Sequence, residues 1–203
     1  MLGLLNFIFS FGLITWRIFY YLGTASNRNA PKSPITRGQK TRNCETIDSM
    51  PQVVLVHPQI PPNTGNIART CAATKTPLHL VGPLGFEISD RYLKRAGLDY
   101  WDYVDLHYHA SLEDFVAETQ QHPGRWIGFS TSGRCSHLEF QYEPSDWLLF
   151  GCETTGLPPY VLEACHTVVR IPMAHPKVRS LNLSVSVAIG LFEARRQLGD
   201  LAE

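Results

Sequence analysis

The chain has 203 residues, of which 44% are hydrophobic and 18% are charged. These proportions are typical of one globular domain with a substantial core and exclude an intrinsically disordered chain. The formal net charge is zero, which excludes a protein that attracts RNA phosphates through its overall charge.

The first 49 residues differ in composition from the rest. Residues 1–22 are rich in Leu, Phe and Ile, and residues 23–48 are polar and typical of a linker. No Lys or Arg precedes Arg17, which argues against a signal peptide. Because Met50 directly precedes an apolar run, we expect residues 1–49 to be dispensable, or to reflect an initiation site assigned too far upstream. A membrane anchor and an organellar targeting segment are the alternatives, and we expect no membrane contact.

Charge and cysteine content set limits on the remaining segment. Residues 1–49 hold six basic and two acidic side chains, so residues 50–203 carry a net charge of −4. RNA binding by residues 50–203 would therefore need a local basic patch. The five cysteines are odd in number and form no C-x-x-C pair, which argues against a disulfide framework and a zinc site. We expect a reducing compartment, the cytoplasm, and no metal.

Short apolar runs alternate with helical segments from Met50 onward. The pattern predicts strands at residues 53–57, 78–81, 104–107, 126–130, 147–150 and 167–171. It predicts helices from an Asn63 or Thr64 N-cap to about residue 74, at 90–96, at 111–121 with Ser111 as N-cap, and at 182–198 before Gly199. This alternation predicts a single α/β domain at residues 50–203, with a mainly parallel sheet between helices.

Three loops after predicted strands carry candidate functional residues. The first is N-T-G-N-I-A-R at residues 63–69, where Gly65 permits close backbone approach and Arg69 lies one turn into a helix. The second is F-G-C-E-T-T-G-L-P at residues 150–158, which surrounds Glu153 with two glycines and a proline. Each alone is also compatible with an ordinary surface turn. Ligands bind beyond the carboxyl ends of parallel strands, which favours a site there.

The third loop is I-P-M at residues 171–173, followed by R-S-L-N-L-S-V-S-V-A at residues 179–188. Its small polar residues, among them Asn182 and Ser184, begin an apolar helix. They would either cap that helix or line a pocket.

In this order, the three loops resemble the motifs of the SpoU family of RNA ribose 2′-O-methyltransferases, within the trefoil-knotted SpoU–TrmD superfamily. The resemblance covers nearly all of residues 50–203. The runs I-P-P-N-T-G-N-I-A-R at 60–69 and R-A-G-L-D-Y at 95–100 resemble the TrmL type more narrowly. That type methylates the wobble ribose of certain leucine tRNAs. The resemblance implies a C-terminal trefoil knot, which the strand pattern by itself does not predict.

The resemblance also implies the cofactor and its site. S-adenosylmethionine would lie in the knot, held largely by backbone groups of three loops and without a metal. In this chain those positions are Phe129, Gly151, Ile171, Ser180 and Leu181. A side chain at Gly151 would occupy cofactor space. The second motif commonly reads G-P-E-T-R-G-L-P, and Cys152 and Thr155 replace its Pro and Arg, which removes one candidate RNA contact.

The predicted reaction displaces the cofactor methyl group with a ribose oxygen. The resemblance makes Arg69 the usual candidate base, although a guanidinium is a poor base at neutral pH. We therefore expect Arg69 to orient the nucleotide and to stabilise charge on oxygen. The proton of the ribose hydroxyl would pass either to Arg69 in a desolvated site or to a phosphate of the substrate. Asn182 and Ser184 would complete the pocket, and Glu153 would orient loop groups. The candidate RNA contacts are Arg91, Lys94, Arg95, Lys177 and Arg179.

Three alternatives stay open from the sequence. The same chemistry could act on another RNA, such as ribosomal RNA, or the fold could bind RNA without catalysis. Residues 1–22 could also tether the enzyme to a membrane. The predicted partners are a tRNA substrate and a second copy of the chain. The helix at 182–198 is apolar over more than one face, so one face would pack on the sheet and another on a homodimer partner.

Overall fold

The computed structural model describes residues 50–88 and 100–200. The strands are β1 Gln52–Val56, β2 Leu78–Val81, β3 Leu106–His109, β4 Trp126–Phe129, β5 Cys135–Ser136, β6 Trp147–Phe150 and β7 Thr167–Arg170. The helices are α1 Pro61–Ala73, α2 Leu112–Gln121, α3 Pro159–Ala164 and α4 Leu183–Leu198, with a 3-10 turn at Trp101–Tyr103. The helix predicted at 90–96 and the extension at 1–49 lie outside the described residues.

The described strands form one sheet in the order β3-β2-β1-β6-β4-β7-β5, and every adjacent pair is parallel. All residues of β2, β4 and β6 are buried, as expected for strands covered on both faces. The mainly parallel α/β sheet is therefore confirmed. The late strands enter between earlier ones, because β6 lies between β1 and β4 and β7 lies between β4 and β5. The trefoil knot itself stays a prediction.

The predicted helix ends are right for two helices and wrong for a third. Ser111 caps α2 with a reciprocal capping box to Asp114. Asn182 caps α4 through its side chain, and Gly199 ends that helix in the left-handed conformation. The N-cap of α1 is Ile60 rather than Asn63 or Thr64. The reason is the Pro pair that opens α1, since proline favours the first helical position and sets the helix start.

Helices α1 and α4 are joined by Arg195, which is buried although it is charged. Its guanidinium donates to the carbonyl oxygen of Thr74, just beyond α1, and its Nε donates to Asp200 Oδ1 at 3.0 Å. The positive charge of Arg195 also interacts favourably with the partial negative charge at the carboxyl end of α1. The contact fixes α1 relative to α4, the two helices whose first turns carry the candidate site.

Three histidines stack across β2 and β3 at one edge of the sheet. His79 is fully surrounded, with its Nδ1 2.9 Å from His109 Nε2 and its Nε2 2.8 Å from Gln52 Oε1. The His79 and His107 rings stack at a centroid distance of 4.5 Å, and Trp147 packs edge-on against His79. Burial, and then the neighbouring His107 and His109, lower the pKa of His79 to about 2.

We expect the cluster to make the protein sensitive to acid. The unfolded chain binds a proton at His79 near pH 6.5, whereas the folded chain does not bind one until about pH 2. Stability is thus complete above pH 6.5 and falls as the pH drops below it, by about 1.4 kcal/mol per pH unit for this one group. Urea unfolding from pH 7 to pH 4.5 measures this slope. His79→Gln should reduce it, and a variant with the wild-type slope would contradict the assignment.

The matched control is His175→Gln. His175 is exposed in the loop between β7 and α4, where its Nδ1 accepts the Lys177 N–H at 3.2 Å. Its replacement should leave the pH slope of the wild type unchanged, because it lies outside the histidine cluster and an exposed hydrogen bond contributes little to stability.

None of the helices in 50–88 and 100–200 combines the length and the apolar character needed to cross a bilayer.

Candidate active site

A pocket of about 480 Å³ opens at the carboxyl ends of β4, β6 and β7. Three loops form its wall: the one after β4, the one after β6, and the one between β7 and α4. All five residues predicted to bind the cofactor line it, namely Phe129, Gly151, Ile171, Ser180 and Leu181. The structure thus brings these five together, and their role in binding stays a prediction.

Apolar and polar residues line the pocket in similar proportion. Phe129 and Phe150 stack at a centroid distance of 4.4 Å at the ends of neighbouring strands. Leu157 and Leu183 add aliphatic surface to the lining, and Glu153 is one of its polar residues. A pocket that combines aromatic surface with polar groups suits a nucleoside-sized ligand.

Gly151 is required by the protein backbone. A Cβ atom at this position would collide with backbone atoms of Gly156 and Leu157. The loop returns on itself here, since the Gly156 N–H donates to the Cys152 carbonyl oxygen at 2.9 Å. Glycine at position 151 is therefore needed for the close approach of the backbone, in addition to the predicted need for space beside the cofactor.

Glu153 joins the loop after β6 to the start of α1. Its Oε2 accepts the Gln59 N–H at 2.9 Å, and its Oε1 accepts the Ile60 N–H at 3.2 Å and the Asn63 amide at 3.0 Å. Thr154 adds a hydrogen bond to the Gln59 side chain at 3.0 Å. The carboxylate satisfies N–H groups that precede a helix without a side-chain cap, so it anchors the first motif to the second.

Asn63 extends this connection to the third motif. Its Oδ1 accepts the Asn182 amide at 3.0 Å, and Asn182 Oδ1 accepts the Ser184 hydroxyl at 2.7 Å and the Ser184 N–H at 2.9 Å. Glu153, Asn63, Asn182 and Ser184 thus form one hydrogen-bonded chain. Sequence reasoning treated Asn63 only as a helix cap. The proline pair before it was the signal that it lies inside the helix, with a side chain free for another contact.

Arg69 lies apart from that chain of hydrogen bonds. It follows Asn63 by six residues on α1, which is about 9 Å along the helix axis, and it is exposed. Its guanidinium carbon is 4.7 Å from the centroid of the Tyr100 ring. The structure therefore brings together three of the four predicted catalytic residues and places Arg69 on the adjacent surface of α1.

Two of the five candidate RNA contacts lie among the described residues. Lys177 and Arg179 are exposed on the loop between β7 and α4, and Arg179 lines the pocket. Arg91, Lys94 and Arg95 lie outside the described residues. The exposed cations beside the pocket form a local basic area of the kind that a domain with negative net charge needs for RNA.

Cys152 and Thr155 replace a Pro and an Arg of the family motif and contact each other. The Cys152 sulfur lies 2.9 Å from the Thr155 hydroxyl oxygen and 3.5 Å from that of Thr154. Burial raises the pKa of the Cys152 thiol, but hydrogen bonds from Thr155 and Thr154 outweigh it and bring the pKa to about 7. The described thiols, those of Cys71, Cys135, Cys152 and Cys165, are free.

Within 50–88 and 100–200, no group of three His, Cys, Asp or Glu side chains has the arrangement of a metal site. The pocket instead offers apolar surface, backbone groups and hydroxyls. These features and the parallel sheet define an α/β protein with a pocket suited to a small organic ligand at the carboxyl ends of its strands.

Comparison with known proteins gives the family. The chain belongs to the SpoU rRNA Methylase family, which matches residues 50–192. A relative from Synechocystis sp., provisionally assigned as a tRNA (cytidine(34)-2′-O)-methyltransferase, is 59% identical over 75% of this chain and 99% of its own length. A tRNA (cytidine(34)-2′-O)-methyltransferase from Burkholderia pseudomallei is 48% identical over 72% of this chain and 95% of its own length.

Solved structures agree with the sequence relatives. A structure described as giving insight into the 2-OH methylation of C/U34 on tRNA is similar with a TM-score of 0.69 and 48% identity, over 74% of this chain and 92% of that chain. An AdoMet-bound rRNA methyltransferase from Sinorhizobium meliloti is similar with a TM-score of 0.66 and 29% identity, over 73% of this chain and 57% of that chain.

Proposed function

We propose that this protein transfers the methyl group of S-adenosylmethionine to the 2′-hydroxyl of the wobble cytidine or uridine of tRNA, with leucine tRNAs as the expected substrates. The observation that carries the proposal is the hydrogen-bonded chain from Glu153 through Asn63 to Asn182 and Ser184. It joins the three family motifs at the edge of a pocket. The two relatives described above, whose names specify 2′-O-methylation of cytidine 34 of tRNA, are 59% and 48% identical to the chain.

The pocket fits S-adenosylmethionine. The stacked Phe129 and Phe150 rings beside Leu157 suit a planar base, and the hydroxyls and backbone groups of the three loops suit a ribose and an amino-acid tail. When bound, the cofactor supplies a sulfonium methyl group, which needs no metal for its transfer. Phe129, Gly151, Ile171, Ser180 and Leu181 would hold it.

Other residues of the chain would orient the RNA and stabilise the charge that develops during methyl transfer. Arg69 orients the nucleotide through its phosphate and stabilises negative charge as it develops on the ribose oxygen. Asn182 and Ser184 complete the wall next to that oxygen. Glu153 and Asn63 hold the loops in register, and Lys177 and Arg179 contact the RNA backbone.

Mapping of the product tests the function. The purified full-length chain is incubated with S-adenosylmethionine and tRNA transcripts, and 2′-O-methyl nucleotides are located by nuclease digestion and mass spectrometry. Methylation at position 34 of leucine tRNAs, and not of other tRNAs, is expected. Methylation of ribosomal RNA alone would favour the other enzymatic candidate, which a 29% identical rRNA methyltransferase represents. RNA binding without methyl transfer would establish a non-catalytic protein.

We further propose that residues 50–203 suffice for this activity in the cytoplasm and that residues 1–49 are dispensable. Support comes from the family match, which begins at residue 50. Calorimetry in EDTA should give the same affinity for S-adenosylmethionine with the full-length chain and with residues 50–203. The proposal would be contradicted if the folded truncated protein did not bind S-adenosylmethionine, or if binding required a metal.

The active form is proposed to be a homodimer. On α4, Val185 and Phe192 are 46% and 45% exposed, and half-buried Ile189 lies between them at helical spacing. The opposite face buries Val187 and Leu191 in the core. A helix apolar on two faces has one face left for a partner. A dimer would also join the small basic areas of two chains into one longer surface for RNA.

We expect Phe192→Glu to convert the dimer into a monomer, because the carboxylate would have to be buried against the partner. Light scattering at micromolar concentration measures the mass. Tyr108→Glu, at a 52% exposed position on the edge strand β3, is the control and should stay dimeric. A wild-type protein that is monomeric and active would contradict the dimer.

A further inference from the structure

Tyr100 contacts α1 at two points, one helical turn apart. Its ring lies under the Arg69 guanidinium at 4.7 Å, and its hydroxyl donates to the Gly65 carbonyl oxygen at 3.2 Å. In an α-helix the carbonyl of Gly65 is also the acceptor for the N–H of Arg69, four residues on. The half-buried Tyr100 side chain therefore spans the helical turn from which Arg69 projects.

The contact restricts the orientation of the Arg69 side chain. An aromatic face attracts a guanidinium group placed over it. The planar guanidinium stacked on a ring also has fewer accessible orientations than a free exposed arginine. Tyr100 therefore holds the Arg69 guanidinium in one place beside α1.

We propose that Tyr100 is a positioning residue that holds the Arg69 guanidinium in place at the RNA side of the active site. The inference rests on the proposed function, since it assigns how Arg69 is oriented for its part in methyl transfer.

Replacement of the ring is the direct test. In the full-length protein at saturating S-adenosylmethionine, Tyr100→Leu should slow single-turnover methylation of tRNA about ten-fold, because Arg69 is no longer held in place. Its affinity for S-adenosylmethionine should not change. Tyr100→Phe keeps the ring and should restore the rate to within about two-fold of the wild type. A merely structural role would not separate the rate from cofactor affinity in this way.

The matched control is Tyr103→Leu. Tyr103 follows in the same 3-10 turn and is 76% exposed, and its loss should leave the rate unchanged. If Tyr100→Leu does not unfold cooperatively, Tyr100→Met provides a second ringless variant of larger volume. A rate within two-fold of wild type in a folded ringless variant, or an equal loss in Tyr100→Phe, would overturn the proposal.

A second measurement does not depend on methylation. Phenylglyoxal reacts with guanidinium groups, and mass spectrometry of the Arg69 peptide measures its labelling. Labelling should increase about three-fold in Tyr100→Leu and stay at the wild-type level in Tyr100→Phe and Tyr103→Leu. Unchanged labelling in Tyr100→Leu would refute the stack. An inactive wild type with the expected labelling pattern would instead reject the proposed function while keeping the contact.

Discussion

Arg69→Ala is expected to lower the single-turnover rate of tRNA methylation by about 10³-fold, while affinity for S-adenosylmethionine stays within a few fold. Arg69 is exposed on α1 beside Tyr100 and does not line the pocket proposed for the cofactor. Its loss would therefore remove charge stabilisation at the ribose oxygen without altering the cofactor pocket. Rapid-quench methylation of a leucine tRNA transcript measures the rate, and calorimetry measures the affinity.

Lys75→Ala provides the control for loss of one positive charge. Lys75 is exposed just beyond the carboxyl end of the same helix. Its replacement should change the rate by less than about two-fold, since an exposed charge away from the reacting atoms is screened by salt. An Arg69→Ala protein that methylates at the rate of the Lys75→Ala protein would reject the role given to Arg69.

Glu153→Ala is expected to reduce the methylation rate by about 10²-fold and to destabilise the fold by about 1–2 kcal/mol. The substitution leaves the N–H groups of Gln59 and Ile60 and the amide of Asn63 without their acceptor. The start of α1 would then move relative to the loop after β6. Single-turnover kinetics and urea unfolding measure the two effects.

Glu163→Ala on α3 is the matched control, because Glu163 is an exposed glutamate on the next element after the same loop. It should retain wild-type rate and stability. Glu153→Gln keeps one oxygen acceptor and should fall between wild type and Glu153→Ala. If Glu153→Ala lost stability but kept the wild-type rate, the glutamate would be a helix anchor with no part in the reaction.

The sequence pattern predicted the bounds of strands correctly where both faces of the strand are buried. The strand at residues 78–81 and the one at 147–150 have the predicted bounds, because central parallel strands are apolar on both faces. The prediction at 104–107 was wrong by two residues. The 3-10 turn at Trp101–Tyr103 precedes that strand, and its His107 and His109 pack on His79 of β2. A histidine stack across strands has no signature in the sequence of one strand.

Two short elements were missed for a related reason. Strand β5 has two residues and is defined only by its pairing with β7, in which Cys135 lies opposite Val169, 34 positions later in the chain. Helix α3 has six residues and opens with prolines, so no complete apolar face repeats within it. Elements this short depend on tertiary contacts for their existence.

The sequence by itself determined the alternation of strands and helices, the caps of α2 and α4, and the three motifs that resemble those of the SpoU family. Local propensity and spacing are sufficient for these features. Only the tertiary structure decided the strand order, the role of Asn63 and the pairing of Arg69 with Tyr100. The hydrogen bond from the Asn182 amide to Asn63 joins residues 119 positions apart, and the one from the Asn63 amide to Glu153 joins residues 90 positions apart. Contacts of this kind are fixed by the order in which strands enter the sheet, and no local pattern records that order.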